Sequence, residues 1–260
     1  MRKPQEGDTW FFVDEAGDAT YYDRKGNLIV GQPGCSSILM LGFIETQDPA
    51  SIRQAVLDLQ CEVVGDPYLK DIPSVAKTAV AFHATDDAPE VRYRFFKLIA
   101  ELDFTAQFIV ARKIERVFRN NFEANQNRFY DHLVKHLFER VLHRYTHNHI
   151  YFAKRGSRDR QEPLEAAVRG AIRRFEEKWE TKVVSTFSVQ AQTPKGEPCL
   201  SVIDYMNWAV QRAFVKREMR YYRFIEDKVS LLIDWYDTDN YPKNWYNREN
   251  PFDVEKSSPL

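Results

Sequence analysis

The run TWFFVDE at residues 9–15 constrains the fold more than any other stretch of the chain. Its apolar part is short and gives way abruptly to Asp14, Glu15, Ala16 and Gly17, a pattern that predicts a buried strand. A carboxylate at the end of such a strand is costly to bury unless it is paired, hydrogen-bonded or bound to a metal. In a solvated turn after an edge strand it would cost almost nothing. Both readings are open at this point, and the choice between them bears on function.

The elements that follow predict an α/β chain. Strands are expected at residues 36–45 (SSILMLGFIE), 103–113, 147–154 and 182–192, with a weak one around 20–22. Helices are expected from Pro49, capped by Asp48, to Val64, then in the later half of 80–102, over 121–145 and over 163–179. Residues 198–236 read as predominantly helical, in one piece or two joined ones. A mixed sheet flanked by helices accounts for this order. No repeat or linker divides it, so residues 1–236 read as one domain. The polar tail 237–260 is either packed on through its aromatics or flexible.

A hydrophobic fraction of 43% excludes a disordered chain, and a net charge of −1 excludes a global field that draws the protein to nucleic acid or acidic membrane. Anion binding must then come from local clusters. Three scattered cysteines fit reduced thiols, not a disulfide framework or zinc site. Residues 1–8 lack the apolar core of a secretory signal, and no stretch has the length of a membrane span, so the expected location is cytoplasmic.

Histidines offer a weaker lead. His132, His136 and His143 share one stripe of the helix expected over 121–145, opposite Leu133, Leu137 and Val141, and read as its solvated face. Only His132 and His136 have ligand spacing, without the acid of an HExxH pattern. His147-Asn148-His149 reads as the turn into the next strand. His83, in AFHATDD, ends an apolar run just before Asp86 and Asp87 and is a catalytic candidate. Either aspartate could instead cap the helix near Pro89.

Asp204 stands in the strongly apolar segment LSVIDYMNWAVQRAF, with Leu200 and Trp208 one turn away on either side. Such an aspartate is partly desolvated and needs a partner. The alternative is a surface aspartate on a polar stripe with Ser201, Asn207 and Gln211.

Three motifs, FFVDEAGD, FHATDD and CLSVIDYMNWAVQRAF, together resemble a widespread microbial family, domain of unknown function 3800, grouped with ribonuclease H-like folds. The resemblance spans roughly residues 9–226. The family's Asp-Glu-Ser-Gly strand end is matched by Asp14, Glu15, Ala16 and Gly17, with Ala16 replacing serine. Its late Gln-x-x-Asp-Tyr is matched by Asp204 and Tyr205, with Leu200 or Ser201 where glutamine is common.

The resemblance implies a ribonuclease H-like mixed sheet with the first strand central and a late helix that brings Asp204 to that strand's end. It implies Mg2+ or Mn2+ held by carboxylates, in which case Asp14 is the primary ligand and Glu15 or Asp18 assists or faces solvent. The strand beside the first reads IYFAKRGSRDR, with Ala153 and Lys154 where an acid is expected. Asp159, five residues on, is the substitute ligand. Otherwise Lys154 and Arg155 contact a substrate phosphate directly. Arg212, Lys216, Arg220 and Arg223 form one helical stripe that fits a nucleic-acid partner or, equally, a solvated face balanced by acids.

The expected activity is divalent-metal-dependent hydrolysis of phosphodiesters in nucleic acid. Two rivals stand beside it: a nucleic-acid-binding module with a degenerate metal site, and a metal-dependent hydrolase of a small phosphorylated substrate. Oligomeric state is left open.

Overall fold

Phe11, Phe12 and Val13 are all fully buried, which requires the first strand to be covered on both faces. In the computed structural model, which describes residues 4–154 and 161–260, this strand is β1 (Gln5–Gly17). It pairs antiparallel with β2 (Ile38–Thr46) and parallel with β4 (Tyr145–Ala153). Beyond them lie β3 (Thr105–Arg112), β5 (Thr186–Gln192), β6 (Val229–Trp235) and β7 (Trp245–Tyr246). The order β5-β4-β1-β2-β3-β6-β7 makes one seven-stranded mixed sheet in a single α/β domain.

Period-two alternation sends Phe12 to one face and Phe11 and Val13 to the other. The first face is covered by α1 (Pro49–Gly65), α3 (Pro89–Glu101), α7 (Cys199–Lys216) and α8 (Arg220–Ile225). The short α2 (Val75–Thr78) leads into the loop before α3. The second face is covered by α4 (Glu115–Phe122), α5 (Gln126–Phe138) and α6 (Gln161–Trp179). Among the described residues no helix is long and apolar enough to cross a membrane. All three cysteines are free.

Four expectations need correction. The helix expected over 121–145 is two helices, because Glu123 and Ala124 take left-handed backbone angles and Asn125 starts α5 by accepting the N–H groups of Asn127 and Arg128. It ends at Phe138, and Tyr145 already belongs to β4, so the His147-Asn148-His149 triplet lies within that strand, paired with β1, and is not a turn before it. The helical reading of 198–236 fails after Arg217 (φ 54°), and residues 229–235 form β6 against β3. A seven-residue apolar run is ambiguous between strand and helix, and an open sheet edge decided it.

The fourth correction concerns the histidines, which are not solvated. The His136 ring lies 4.2 Å from that of Trp235 and 4.3 Å from His132, and His143 stacks on Phe175 at 4.2 Å. Burial, aided by neighbouring cations, pulls His132 down to about 4 and His136 down to about 3. Unfolded, both would titrate near 6.5. The unfolded chain therefore takes up protons that the folded one refuses. This contribution is fully present above about pH 6.5 and is lost as pH falls toward 3–4, on the order of 1 kcal/mol per pH unit for each ring. Urea unfolding at about pH 7.5 and pH 5 should show the loss, and replacing both histidines by Asn should flatten it. Equal stability of the wild type at the two pH values would refute the assignment.

Candidate functional site

Asp14 follows Phe12 by two residues, so its side chain faces α7 rather than α5. In register it lies opposite Gly42 of β2 and one step beyond the pair Val13–Phe152, which brings Ala153 alongside it. Its Oδ1 accepts the N–H of Glu15 at 2.8 Å. Gly42 explains how α7 comes so near. A Cβ there would lie 2.5 Å from both Asn207 Oδ1 and the Phe108 ring, so only glycine lets the helix settle onto the sheet beside Asp14.

Glu15 does not join this arrangement. It points to the other face, where Tyr130 of α5 donates to its Oε2 at 3.2 Å. Asp18 is engaged beyond the strand, accepting from Thr20 N–H (2.8 Å) and Ser36 N–H (3.0 Å) and meeting Lys113 at 3.4 Å. Burial pushes its carboxyl up, but these donors together hold it below the usual range.

On α7, Ser201 and Asn207 are 1% exposed, which overturns the surface-stripe reading of Asp204. Ser201 donates to the carbonyl of Phe82 at 3.0 Å, and both amide atoms of Asn207 are buried without a hydrogen-bond partner among the described residues. Asp204, one turn before Asn207, accepts the N–H of Ala84 at 2.7 Å through Oδ2. Its Oδ1 lies 3.7 Å from Nε2 of His83. Burial pushes the Asp204 carboxyl above the usual range; the imidazole and the Ala84 N–H act against this, and Asp87 and Asp86 reinforce it.

His83 is therefore brought to Asp204, across 121 positions of sequence, and its side chain stays 53% exposed. Its Nδ1 is 4.0 Å from Asp86, so the ring stands between two carboxylates. Asp87 does not cap α3, whose cap position is Ala88. Instead it is 3% exposed and accepts from Thr78 Oγ1 (2.6 Å), His83 N–H (2.9 Å) and Tyr205 OH (2.6 Å). Arg92 fastens the same loop from the other side, donating to the carbonyl of Ala84 at 2.9 Å while its guanidinium lies 4.9 Å from the Trp208 ring. From sequence Asp87 reads only as a neighbour of His83 or a helix cap and Tyr205 only as part of the Asp-Tyr match; Arg92 is not singled out.

The cationic candidates separate. Lys154 is exposed where β4 ends, its N–H donating to the carbonyl of Gln192 at 2.9 Å. Arg155 and Asp159 lie outside the described residues. The single stripe of cations does not exist, because Arg217 ends α7 between Lys216 and Arg220. Arg212 is held by Glu218 (Nε to Oε2, 2.7 Å) and lies 4.8 Å from the Trp208 ring. Arg220 also pairs with Glu218, and Arg223 with Asp253. Lys216 is exposed.

Among the described residues no three or more His, Cys, Asp and Glu side chains group closely enough to hold a metal ion. The arrangement offers two carboxylates on one face of the sheet, Asp14 and Asp204, an exposed imidazole beside the second, and a buried unpartnered amide between their elements. Set against known proteins, the chain matches no family model and no curated protein.

Proposed function

We propose that the protein is a divalent-metal-dependent nuclease of ribonuclease H-like fold, with Asp14 and Asp204 as its central carboxylates. One observation carries the reading: Asp204 is kept in an apolar helix where burial raises its pKa, with His83 at 3.7 Å, on the sheet face that Asp14 occupies. Perturbed carboxylates of this kind concentrate at functional sites. The interior position of β1, between an antiparallel and a parallel neighbour, also agrees with what the resemblance implies.

The residues present fit the protein's share of a magnesium or manganese site. Mg2+ keeps several waters and takes one or two protein carboxylates together with substrate phosphate, so a third acid is not obligatory. Asp14 and Asp204 would hold it, and when bound it would activate water and stabilise a leaving phosphodiester oxygen. Asp204 is oriented by the Ala84 N–H on Oδ2, with Oδ1 toward His83. His83, exposed and held by Asp87 through its own N–H, is placed to exchange a proton with solvent or substrate. Lys154, at the end of the strand beside β1, supplies a cation for a backbone phosphate.

The test is cleavage of a panel of single- and double-stranded DNA and RNA with Mg2+ or Mn2+, against a chelator control. A second reading, a binding module with a degenerate site, is favoured by Ala153 standing where an acid would complement Asp14. Binding throughout the panel without cleavage would establish that reading and reject the first.

A further inference from the structure

Asp204, Trp208 and Arg212 stand at four-residue intervals on α7, so they follow one another along the helix with about 6 Å of rise at each step. A line leaving the proposed site thus passes from a carboxylate to an indole to a guanidinium. Other elements extend it. The guanidinium of Arg92, on α3, lies 4.9 Å from the Trp208 ring, and that of Arg212 lies 4.8 Å from the same ring. Beyond the break at Arg217, the Tyr221 ring of α8 lies 5.9 Å from the Arg212 guanidinium and 4.4 Å from that of Arg220. Cation and ring alternate across three helices in the order Arg92, Trp208, Arg212, Tyr221, Arg220.

This row is short of acid. Glu218 serves both Arg212 (Nε to Oε2, 2.7 Å) and Arg220 (Nε to Oε1, 2.8 Å). Arg92 has no carboxylate partner among the described residues, and its Nε is buried with no hydrogen bond to them. A guanidinium laid on a ring uses its flat face there and keeps its N–H edge for an acceptor. Ala84 ties the row to the site, because its N–H holds Asp204 while its carbonyl holds Arg92.

We infer that this row is a track on which a nucleic-acid strand lies by its phosphates as it leaves the Asp204 end of the site. The inference rests on the nuclease reading for where the strand comes from, and it adds how the strand is held: by its backbone and not by its bases. Phosphate oxygens fit the forked N–H edge of a guanidinium, and three guanidiniums against one carboxylate leave charge to meet them. Bases find no platform, because Trp208 is only 8% exposed beneath its two arginines. Contacts confined to the backbone carry no sequence information.

The test is fluorescence anisotropy of labelled oligo(dT) and oligo(dA) with the full chain in a chelator, across a salt series. Both should bind, with similar affinity. Arg220→Gln changes a side chain that is 71% exposed, so the fold is not at stake; it should weaken binding about tenfold and reduce the salt slope by about 0.7, the share of one phosphate on a single strand. Arg92→Gln should do the same, its amide still able to donate to the Ala84 carbonyl. Lys182→Gln, at a cation beyond α6 that is 88% exposed, should change neither quantity. Four results would each overturn the inference: no binding, unchanged affinity and slope in Arg220→Gln and Arg92→Gln, an equal loss in Lys182→Gln, or a preference of more than about tenfold for one base. Cleavage is assayed apart, with Mg2+ or Mn2+. Cleavage by a protein whose binding ignores the row ends this inference alone, whereas binding that depends on the row without cleavage ends the nuclease reading alone.

Discussion

Asp14→Asn is expected to lower cation-dependent cleavage by on the order of 10²–10³-fold or more, the scale on which removal of a single charge-stabilising group acts. The substitution preserves size and the Oδ1 acceptor used by the Glu15 N–H, but removes the charge that a hard cation requires. Asp204→Asn should be equally inactive and carries a second signature. Because its folded pKa is raised, ionised Asp204 opposes folding: the penalty is absent below about pH 4, the unfolded carboxylate value, and grows as pH rises toward the folded pKa. An asparagine there still accepts from the Ala84 N–H without that charge. The variant should therefore lose activity while thermal stability near neutral pH holds or rises, the trade-off of a residue kept for function. Calorimetric titration with Mn2+ should lose its heat in both variants. Cleavage that persists undiminished in Asp14→Asn would end the assignment.

Why Asp204 and His83 could be suspected from sequence, and Arg112 could not, is a matter of local contrast. An aspartate between Leu200 and Trp208 violates its own helix pattern, and a histidine that ends an apolar run violates its strand pattern. Such conflicts are visible without knowing what lies opposite. Period two sends neighbours to opposite faces of a covered strand, so reading Glu15 as an assistant to Asp14 overlooks a signal that is present in the sequence. By contrast, the burial of His132 and His136 depends on Trp235, which comes close only because β6 joins β3. Residues 229–235 have the composition of either a strand or a buried helical turn. Only the unpaired edge of β3, set by residues more than a hundred positions earlier, settles the choice.

That same edge sets the largest stability effect. Arg112, the last residue of β3, reaches Asp234 of β6 with two parallel bonds, Nε to Oδ1 at 3.0 Å and Nη2 to Oδ2 at 2.8 Å. The Asp234 side chain is 0% exposed and that of Arg112 11%, so water screens the pair little. Burial pushes the Asp234 carboxyl up; Arg112 and the Ser257 hydroxyl, 2.8 Å away, oppose the rise. Arg112 also meets Asp237 at 3.3 Å and donates to the carbonyls of Ser258 and Pro259, each at 2.8 Å. One guanidinium thus fastens β6 to β3 and the C-terminal segment to both. Arg112→Met would leave two buried carboxylates without their cation, which costs about 3–5 kcal/mol out of a total of about 5–15 kcal/mol. Urea unfolding at neutral pH should register that loss, and limited proteolysis should open the chain after Phe252 before the rest. Arg112→Met with Asp234→Leu removes the stranded charge that hurts most and should recover part of the stability. A single variant within about 1 kcal/mol of the wild type would mean that the guanidinium is replaced by water at no cost, and that the sheet edge and tail hold by apolar packing alone.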